Sequence, residues 1–306
     1  MEQYGRSIRQ PGDCVMNPNI IDLHMHSTVS DGSDTPEELL GKVREAGVRL
    51  FSVTDHDAVM GCDAVRALLR GDDPAFMNGV EFSCRDEVGN YHILGYGYDP
   101  DAEPVRKIVE TGHRFRQDKL SARLDYLESE FGFVFSEEDT AALKALYNPG
   151  KPHIGTLMVK YGYAETRREA IDRYIESIRF PSMKITPEDA IDGILRSGGI
   201  PVLAHPTFGR GDQLIEGDDM DRRIRHLMDF GLQGLEVFYS GFDAEIRGEL
   251  LAFADRYGLY VTGGSDYHGT VKNVRLADTH LDEEAELPDG MKRFLRNVNM
   301  THNPFQ

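Results

Sequence analysis

Short apolar runs alternate with amphipathic stretches from Asn19 onward, and this alternation is typical of β–α units. Seven of the apolar runs have the length and composition of buried strands: 20–25, 50–54, 76–83, 91–97, 200–204, 234–238 and 260–264. The pattern therefore predicts an α/β protein. Its 306 residues are enough for one α/β barrel with an insertion, or for two domains.

The first predicted helix has clear start and stop signals. Thr35 suits the N-cap, Pro36 suits the first helical position, and Glu38 completes a capping box. Gly47 then suits the left-handed residue that follows many helices. A similar start at Thr186 predicts another helix where the alternation resumes.

The β–α alternation stops between about residues 100 and 185. This charged stretch predicts helices near 102–132, 136–146, 153–162 and 166–178, and the alternation resumes at the sequence GGIPVLAHP. We therefore expect a flexible leader, a barrel domain in two segments, and a helical insertion that contributes to the substrate site. Their bounds are 1–18 for the leader, 19–101 and 183–306 for the barrel domain, and 102–182 for the insertion.

Composition narrows the possible partners and the compartment. The formal net charge of −18 disfavours broad binding to nucleic acid or anionic membranes. A small phosphorylated metabolite remains compatible with that charge, because bound cations reverse the field locally. The three cysteines, Cys14, Cys62 and Cys84, form no CxxC pair. No secretory signal or membrane-length apolar run is visible, so we expect a cytoplasmic protein.

Nine candidate metal ligands occur in short motifs, and most of them follow predicted strands. They are His24, His26, Asp31, His56, Glu81, His92, His205, Asp266 and His268. Imidazole and carboxylate together suit divalent zinc, manganese or iron. Nine ligands are too many for one ion, and they fit two or three ions that share a bridging carboxylate.

His92 is the exception, because it opens its predicted strand instead of ending it. The carboxyl ends of parallel barrel strands meet at one face, where the other candidates are expected to converge. The sequence DEVGN precedes His92 and is typical of a tight hairpin turn. An antiparallel hairpin would return His92 to the level of Glu81.

A cluster of several divalent ions is typical of hydrolysis, most often at phosphorus. Water that bridges two ions loses its proton near neutral pH and becomes a hydroxide nucleophile. A further ion can hold phosphoryl oxygens and stabilise the leaving oxygen. The ligands must be deprotonated, so the bound ions leave a positive pocket that attracts phosphate.

The ordered motifs resemble those of the PHP (polymerase and histidinol phosphatase) family of metal-dependent phosphoesterases, over about 20–100 and 186–270. The similarity is greatest to the stand-alone branch with a helical insertion. It implies a distorted TIM-like (β/α)7 barrel, three metal ions, and hydrolysis of nucleotide or sugar-phosphate monoesters.

The resemblance also implies a division of the ligands among ions. His24, His26 and Asp266 would bind the first ion, and Asp31, His56 and His205 the second. His92 and His268 would bind the third, and Glu81 would bridge the first and third. The side chains expected to act directly in catalysis are Glu81, His205, Asp266 and His268.

Three further residues are candidates for binding the substrate. Lys151 and His153 lie in the sequence GKPHIG of the insertion, and Arg210 follows AHPTFG beside His205. Arg210 could bind phosphate through two hydrogen bonds. The alternative is that Lys151 is solvated, His153 caps a helix, and Arg210 lies on the surface.

Other functions remain open at this point. A cyclic phosphodiesterase that hydrolyses both ester bonds in turn is the main alternative. A hydrolase of C–N bonds could share the HxH pair and the late aspartate, but no lysine follows a strand where it could bridge two ions. A non-catalytic metal-binding module, or an accessory to DNA synthesis, is disfavoured because no ligand is missing.

Overall fold

The computed structural model describes residues 20–178, 180, 183–208, 214–281 and 286–302. The predicted leader and Arg210 lie outside the described residues. Three short strands, β1 (Ile21–Asp22), β2 (Leu50–Phe51) and β3 (Ala75–Phe76), form a parallel sheet.

Five longer strands form a second, mixed sheet. In spatial order they are β4 (Gly79–Arg85), β5 (Asn90–Tyr96), β6 (Ile200–Leu203), β7 (Gly234–Tyr239) and β8 (Tyr260–Gly264). The β5 strand pairs antiparallel with both β4 and β6, while β6, β7 and β8 are parallel. All seven predicted runs contain a strand, but the run at 76–83 is divided between β3 and β4.

Backbone hydrogen bonds bring the two sheets side by side. Just after β1, the Leu23 amide donates to the Gly263 carbonyl of β8 over 3.1 Å. The Asp266 amide donates to the His24 carbonyl over 2.7 Å, and a parallel bridge joins His56 to Glu81. The fold is α/β as predicted, but the described strands belong to two sheets and do not form one continuous barrel.

Helices flank the sheets and fill the segment between β5 and β6. They are α1 (Pro36–Glu45), α2 (Met60–Leu68), α3 (Glu103–Phe131), α4 (Glu137–Ala145), α5 (Lys151–Lys160), α6 (Arg167–Glu169), α7 (Pro187–Arg196), α8 (Gly217–Asp229), α9 (Ala244–Tyr257) and α10 (Asp289–Asn297). A π-helical turn, Ala170–Ile175, continues α6. None of the helices in the described ranges is long and apolar enough to cross a membrane.

The predicted start of α1 is confirmed. The Thr35 hydroxyl accepts a hydrogen bond from the Glu38 amide over 3.2 Å, and the Glu38 carboxylate accepts one from the Thr35 amide over 2.8 Å. Gly47 follows the helix in the left-handed region, at φ 68°. The Thr186 hydroxyl caps α7 by accepting a hydrogen bond from the Asp189 amide. These local signals need no tertiary contact, which explains why the sequence located them.

The α3 helix connects two of the three apolar cores. Its first turns bury Val105 and Ile108 in the core beneath the larger sheet. Its later turns bury Leu120 and Leu127 in a separate core among the helices between β5 and β6. A third core lies between α1, α2 and the smaller sheet. The helical segment is therefore anchored to the sheet through α3.

Gly264, at the end of β8, packs closely against His24, the first of the candidate ligands. A Cβ atom there would lie 2.2 Å from the His24 Cβ and 2.5 Å from its backbone nitrogen. We expect Gly264→Ala to lower the free energy of unfolding by about 1–3 kcal/mol, as overpacking does, and to displace His24. Thermal and denaturant unfolding would measure the effect.

Gly248 provides the matched control, because it is exposed in α9 and a Cβ there meets nothing within 4 Å. Gly248→Ala should leave stability unchanged or raise it by up to about 1 kcal/mol. If Gly264→Ala were as stable as Gly248→Ala, the close packing of β8 against His24 would be wrong.

Candidate metal centre

The structure brings the nine candidate ligands into one connected cluster. Contacts of 2.8 to 4.0 Å between side-chain nitrogen and oxygen atoms link every member to another. Five of the nine are buried, namely His24, His26, Glu81, Asp266 and His268, and the other four are partly exposed, namely Asp31, His56, His92 and His205. The expected convergence of these side chains is therefore observed.

The backbone near the strand ends directs these side chains inward. His24 and His26 follow β1 on one face, and Met25 between them points into the core beneath the smaller sheet. Asp57, His205 and Asp266 adopt the left-handed region at φ 50°, 27° and 58°, which is uncommon for residues other than glycine. This backbone strain therefore lies at the candidate site, where strained residues tend to cluster in proteins.

The predicted hairpin between β4 and β5 is confirmed. Ser83 pairs directly with His92, which places Glu81 and His92 diagonally on the same face of the two strands. The His92 Nδ1 atom lies 2.8 Å from Glu81 Oε1. In the turn, Asp86 Oδ1 accepts hydrogen bonds from two backbone amides. The hairpin thus returns His92 to the cluster.

Glu81 lies at the centre of the cluster. Its side chain is only 1% exposed. Its two carboxylate oxygens lie within 3.3 Å of five imidazole nitrogens, from His24, His26, His56, His92 and His205. A carboxylate in this position can bridge two ions.

The side chains form three overlapping groups that share Glu81, His26 or His56. The first contains His24, His26 and Glu81, with Asp266 Oδ1 at 3.3 Å from His26 Nε2. The second contains His56, Glu81 and His92, with His205 Nε2 at 3.2 Å from Glu81 Oε1. The third contains His26, Asp31, His56 and His268.

These contacts favour a different division of ligands from the one that the resemblance implied. His205 lies beside His92, at 3.2 Å, because β6 pairs with β5 and ends at the same level. His268 lies beside Asp31, at 3.3 Å. The two histidines therefore exchange places between the second and third groups.

The residues present fit a group of divalent ions. Ligands that share one ion at about 2.0–2.2 Å lie about 3 to 3.6 Å apart, which matches most separations in the cluster. Asp31 Oδ1 and Glu81 Oε2 are buried, and no described residue donates a hydrogen bond of good geometry to either. Carboxylate and imidazole are the donors that zinc, manganese and iron share.

Burial and mutual attraction perturb the titration of the cluster in the absence of ions. Burial alone would raise the pKa of Glu81, but the surrounding histidines, first His56 and His92, hold it well below its usual range. Burial alone would lower the pKa of His26, but the carboxylates of Asp266 and Glu81, which contact its ring, raise the pKa to about 9. Burial lowers the pKa of His92 to about 4.

Glu236 is a buried carboxylate that the sequence analysis missed. From β7, its Oε1 lies 2.8 Å from His24 Nδ1, and its Oε2 accepts a hydrogen bond from the His205 amide over 2.7 Å. It thereby holds the His24 ring with Nε2 towards Glu81. The available signal was a glutamate inside the apolar predicted strand at 234–238, since a buried carboxylate needs partners.

Asp57 contacts the ligand cluster indirectly. Its carboxylate accepts hydrogen bonds from the Ser83 amide over 2.9 Å and from Arg116 Nε over 2.6 Å. The Ser83 hydroxyl lies 3.5 Å from His56 Nδ1 and accepts a hydrogen bond from Arg116. Asp57 therefore connects α3 to the cluster through Ser83 and Arg116, neither of which the sequence analysis selected.

Lys272 and Tyr239 hold the outer oxygen of Asp266. Lys272 Nζ lies 2.5 Å from Asp266 Oδ2, and the Tyr239 hydroxyl donates to the same atom over 3.0 Å. The other oxygen, Oδ1, faces His24 and His26. Each carboxylate oxygen therefore has a separate role, and Oδ1 is available to an ion.

A cavity of about 370 Å³ adjoins the cluster. Its wall includes His92, Asp57 and Ser83 on one side and residues of α3 and α5 on the other. Further along the chain, Glu176, Ile178, Phe180, Met183, Lys184 and Ile185 also line it. Lys151 lies in this wall and pairs with Glu176. His153 Nδ1 accepts a hydrogen bond from the Gly150 amide over 2.9 Å, as in the helix-capping alternative.

Residues 22–180 match the PHP domain family. The chain belongs to this family. It is 32% identical to a 3′,5′-nucleoside bisphosphate phosphatase of Chromobacterium violaceum, over 81% of the chain and 87% of the relative. It is 31% identical to a phosphoribosyl 1,2-cyclic phosphate 1,2-diphosphodiesterase of Eggerthella lenta, over 83% of the chain and 96% of the relative.

One solved structure and one further relative are also similar to this chain. The structure, described as a candidate metal-dependent phosphoesterase of Bifidobacterium adolescentis, has a TM-score of 0.74 at 27% identity and covers 90% of this chain and 96% of its own. A 5′-3′ exoribonuclease of Haemophilus influenzae is 27% identical to this chain, over 84% of the chain and 95% of the relative. These likenesses confirm the prediction of a phosphoesterase enzyme.

Glu81→Gln should remove metal from the protein, because an amide carries no charge and offers one oxygen in place of two. We expect the purified variant to lose at least one equivalent of bound divalent ion, measured by elemental analysis. Glu87→Gln is the control, since Glu87 is exposed in the hairpin turn and pairs with Lys184. Unchanged metal content in Glu81→Gln would contradict a bridging role.

The affinity for metal should continue to rise to a higher pH than it would at a site of ordinary histidines. Below about pH 9 the imidazole of His26 is protonated in the metal-free protein, and a binding ion must displace this proton. We expect apparent affinity to rise up to about pH 9, whereas a histidine of ordinary pKa would level off near about 6.5.

Calorimetry on metal-stripped protein, in buffers of different ionisation enthalpy, would measure the protons released. His226→Gln is the control, because His226 contacts Asp86 instead of the cluster. Affinity that is independent of pH above about 7 would contradict the raised pKa of His26.

Proposed function

We propose that the protein hydrolyses small phosphate monoesters, of the nucleotide or sugar-phosphate class. The observation that carries this proposal is the buried Glu81 carboxylate within 3.3 Å of five imidazoles, beside a cavity with cationic side chains. Two or three ions of manganese, zinc or iron held there would polarise phosphoryl oxygens and acidify a bound water.

In this proposal the chain's own residues prepare the site for phosphate. Glu81 would hold the ions through its two carboxylate oxygens, and Asp266 would present Oδ1 because Lys272 and Tyr239 hold Oδ2. His205 and His268 complete the groups on either side of Glu81 and His26. A histidine at the cavity edge, or water, would protonate the leaving oxygen.

The helical segment at 102–182 would supply the substrate-facing wall. Arg116 of α3 reaches Asp57 and Ser83, which ties this wall to the ligand cluster. Lys151 lies in the same wall and would neutralise substrate phosphate. His153 is the weaker of the two predicted residues, because its Nδ1 is already engaged by Gly150.

We also propose that the two sheets act as one distorted barrel with a trinuclear centre. The hydrogen bond from Leu23 to Gly263 and the bridge from His56 to Glu81 support closure on both sides of the smaller sheet. Three overlapping ligand groups support three ions. The barrel domain would then comprise 19–101 and 183–306.

A cyclic phosphodiesterase is the second candidate function. The name of the Eggerthella lenta relative favours it, and adjacent ion sites could support two successive hydrolyses. RNA is a weaker candidate substrate. The name of the Haemophilus influenzae relative favours it, whereas the net charge of −18 opposes binding of a polyanion.

Phosphate release with Mn²⁺ would test the proposal. The panel would contain nucleoside monophosphates, nucleoside bisphosphates, ribose phosphates, cyclic phosphates and histidinol phosphate. We expect turnover of at least one group, and loss of that turnover in His56→Ala. No release from any ester, by protein shown to hold its metals, would contradict the proposed function.

Lys151→Ala tests the substrate wall. We expect KM to rise about fivefold or more with metal content unchanged, because one charge-assisted contact to phosphate is lost. Lys144→Ala is the control, since Lys144 is exposed in α4 and lies outside the cavity wall. Equal KM and kcat values for the two variants would show that Lys151 does not bind the substrate.

A further inference from the structure

One face of α3 carries a row of cations along the cavity wall. Arg116, Lys119 and Arg123 follow Gly112 at intervals of four, three and four residues, which places them on the same side of the helix. Gly112 packs against Asp57, where a Cβ atom would lie 2.9 Å from the Asp57 Cβ. The row therefore begins beside the metal centre and leads away from it.

Arg116 has a carboxylate partner, whereas the two cations further along the helix do not. Lys119 makes no ion pair or hydrogen bond with the part of the chain that the structure describes. Arg123 is only 8% exposed, and its Nε has no hydrogen-bond partner among the described residues. Its guanidinium lies 5.1 Å from the centroid of the Phe180 ring.

The acidic side chains of the same wall are already engaged. Asp57 pairs with Arg116, and Glu176 pairs with Lys151. The far part of the cavity is therefore positive, in a chain whose formal net charge is −18. Buried cations without partners are costly, and they are usually retained where an anion binds.

The titration of these two cations agrees with the geometry. Burial, and then the charge of Arg116, lowers the pKa of Lys119 to about 8. The same two causes lower the pKa of Arg123 to about 10. The attraction of Asp57 to Lys119, and of Glu176 to Arg123, is smaller than either of these two effects.

We propose that Lys119 and Arg123 form a second phosphate subsite, so that the preferred substrate is a small molecule with two phosphate groups. This inference rests on the proposed function of the metal centre. One phosphate would bind at the ions and be hydrolysed, while the other would bind the unpaired cations. The planar guanidinium of Arg123 suits two parallel hydrogen bonds to phosphate oxygens.

The dimensions of the site favour a nucleoside or sugar bisphosphate. Arg116 and Arg123 are seven residues apart, which is about 10 Å along a helix. The cavity volume of about 370 Å³ suits a small ligand. Phe115 and Phe180 line the same cavity and offer apolar surface between the two charged ends.

The test compares one bisphosphate with its two monophosphates in the metal-loaded enzyme. Adenosine 3′,5′-bisphosphate, adenosine 3′-monophosphate and adenosine 5′-monophosphate are the substrates, and kcat/KM is measured by phosphate release. Lys119→Gln and Arg123→Gln should each lower kcat/KM for the bisphosphate by about tenfold or more. They should change the value for the hydrolysed monophosphate by less than about twofold.

Two controls separate recognition from folding. Lys107→Gln removes a cation from the exposed face of α3, outside the cavity wall, and should change neither substrate. Arg123→Lys should restore much of the bisphosphate activity. The melting temperature of Lys119→Gln should not fall, because this substitution removes no ion pair, whereas Arg123→Gln also removes the contact with the Phe180 ring.

The outcomes distinguish this inference from the proposed function. No release from any of the esters, by protein that holds its metals, would reject the proposed function itself. Equal loss on all substrates, or a lower melting temperature of Lys119→Gln, would assign the cations a structural role and overturn the inference. Equal use of mono- and bisphosphates by the unmodified enzyme, or strong preference for a 5′-phosphorylated oligoribonucleotide, would also overturn it.

Discussion

The burial of the Glu81 carboxylate among five histidines is the constraint on which the rest of the site depends. A buried charge is tolerated only when other charges or ions compensate it. In the described structure the compensation comes from imidazoles that follow β1, β2 and β6, and from one within β5. Each of these segments must therefore bring its histidine to the same level. The short strands, the hairpin and the residues in the left-handed region satisfy that requirement.

The outer contacts of the cluster make it rigid without occupying the ligand atoms. Glu236 holds the far nitrogen of His24, and Lys272 and Tyr239 hold the far oxygen of Asp266. In both cases the inner atom still faces Glu81 or His26. Preorganised donors of this kind lose little conformational entropy when an ion binds.

The α3 helix links substrate recognition to the metal centre. Its first half packs into the core beneath the larger sheet, and its second half forms the core of the helical segment. Arg116, at the point of transition, contacts Asp57 and Ser83, whereas Lys119 and Arg123 face the cavity beyond them. The same helix thus connects the ligand cluster to the wall of the cavity.

The sequence by itself determined the features that depend on local chemistry. The α1 cap at Thr35, the strand runs, the hairpin before His92 and the nine ligand types all follow from residue identity and spacing. Only the tertiary structure decided which ligands are neighbours. His205 lies beside His92, and Glu236 supports His24, because β5, β6 and β7 are adjacent in the sheet although they are distant along the chain. Spacing along a chain carries no record of such pairings, since they depend on which strand ends meet in space.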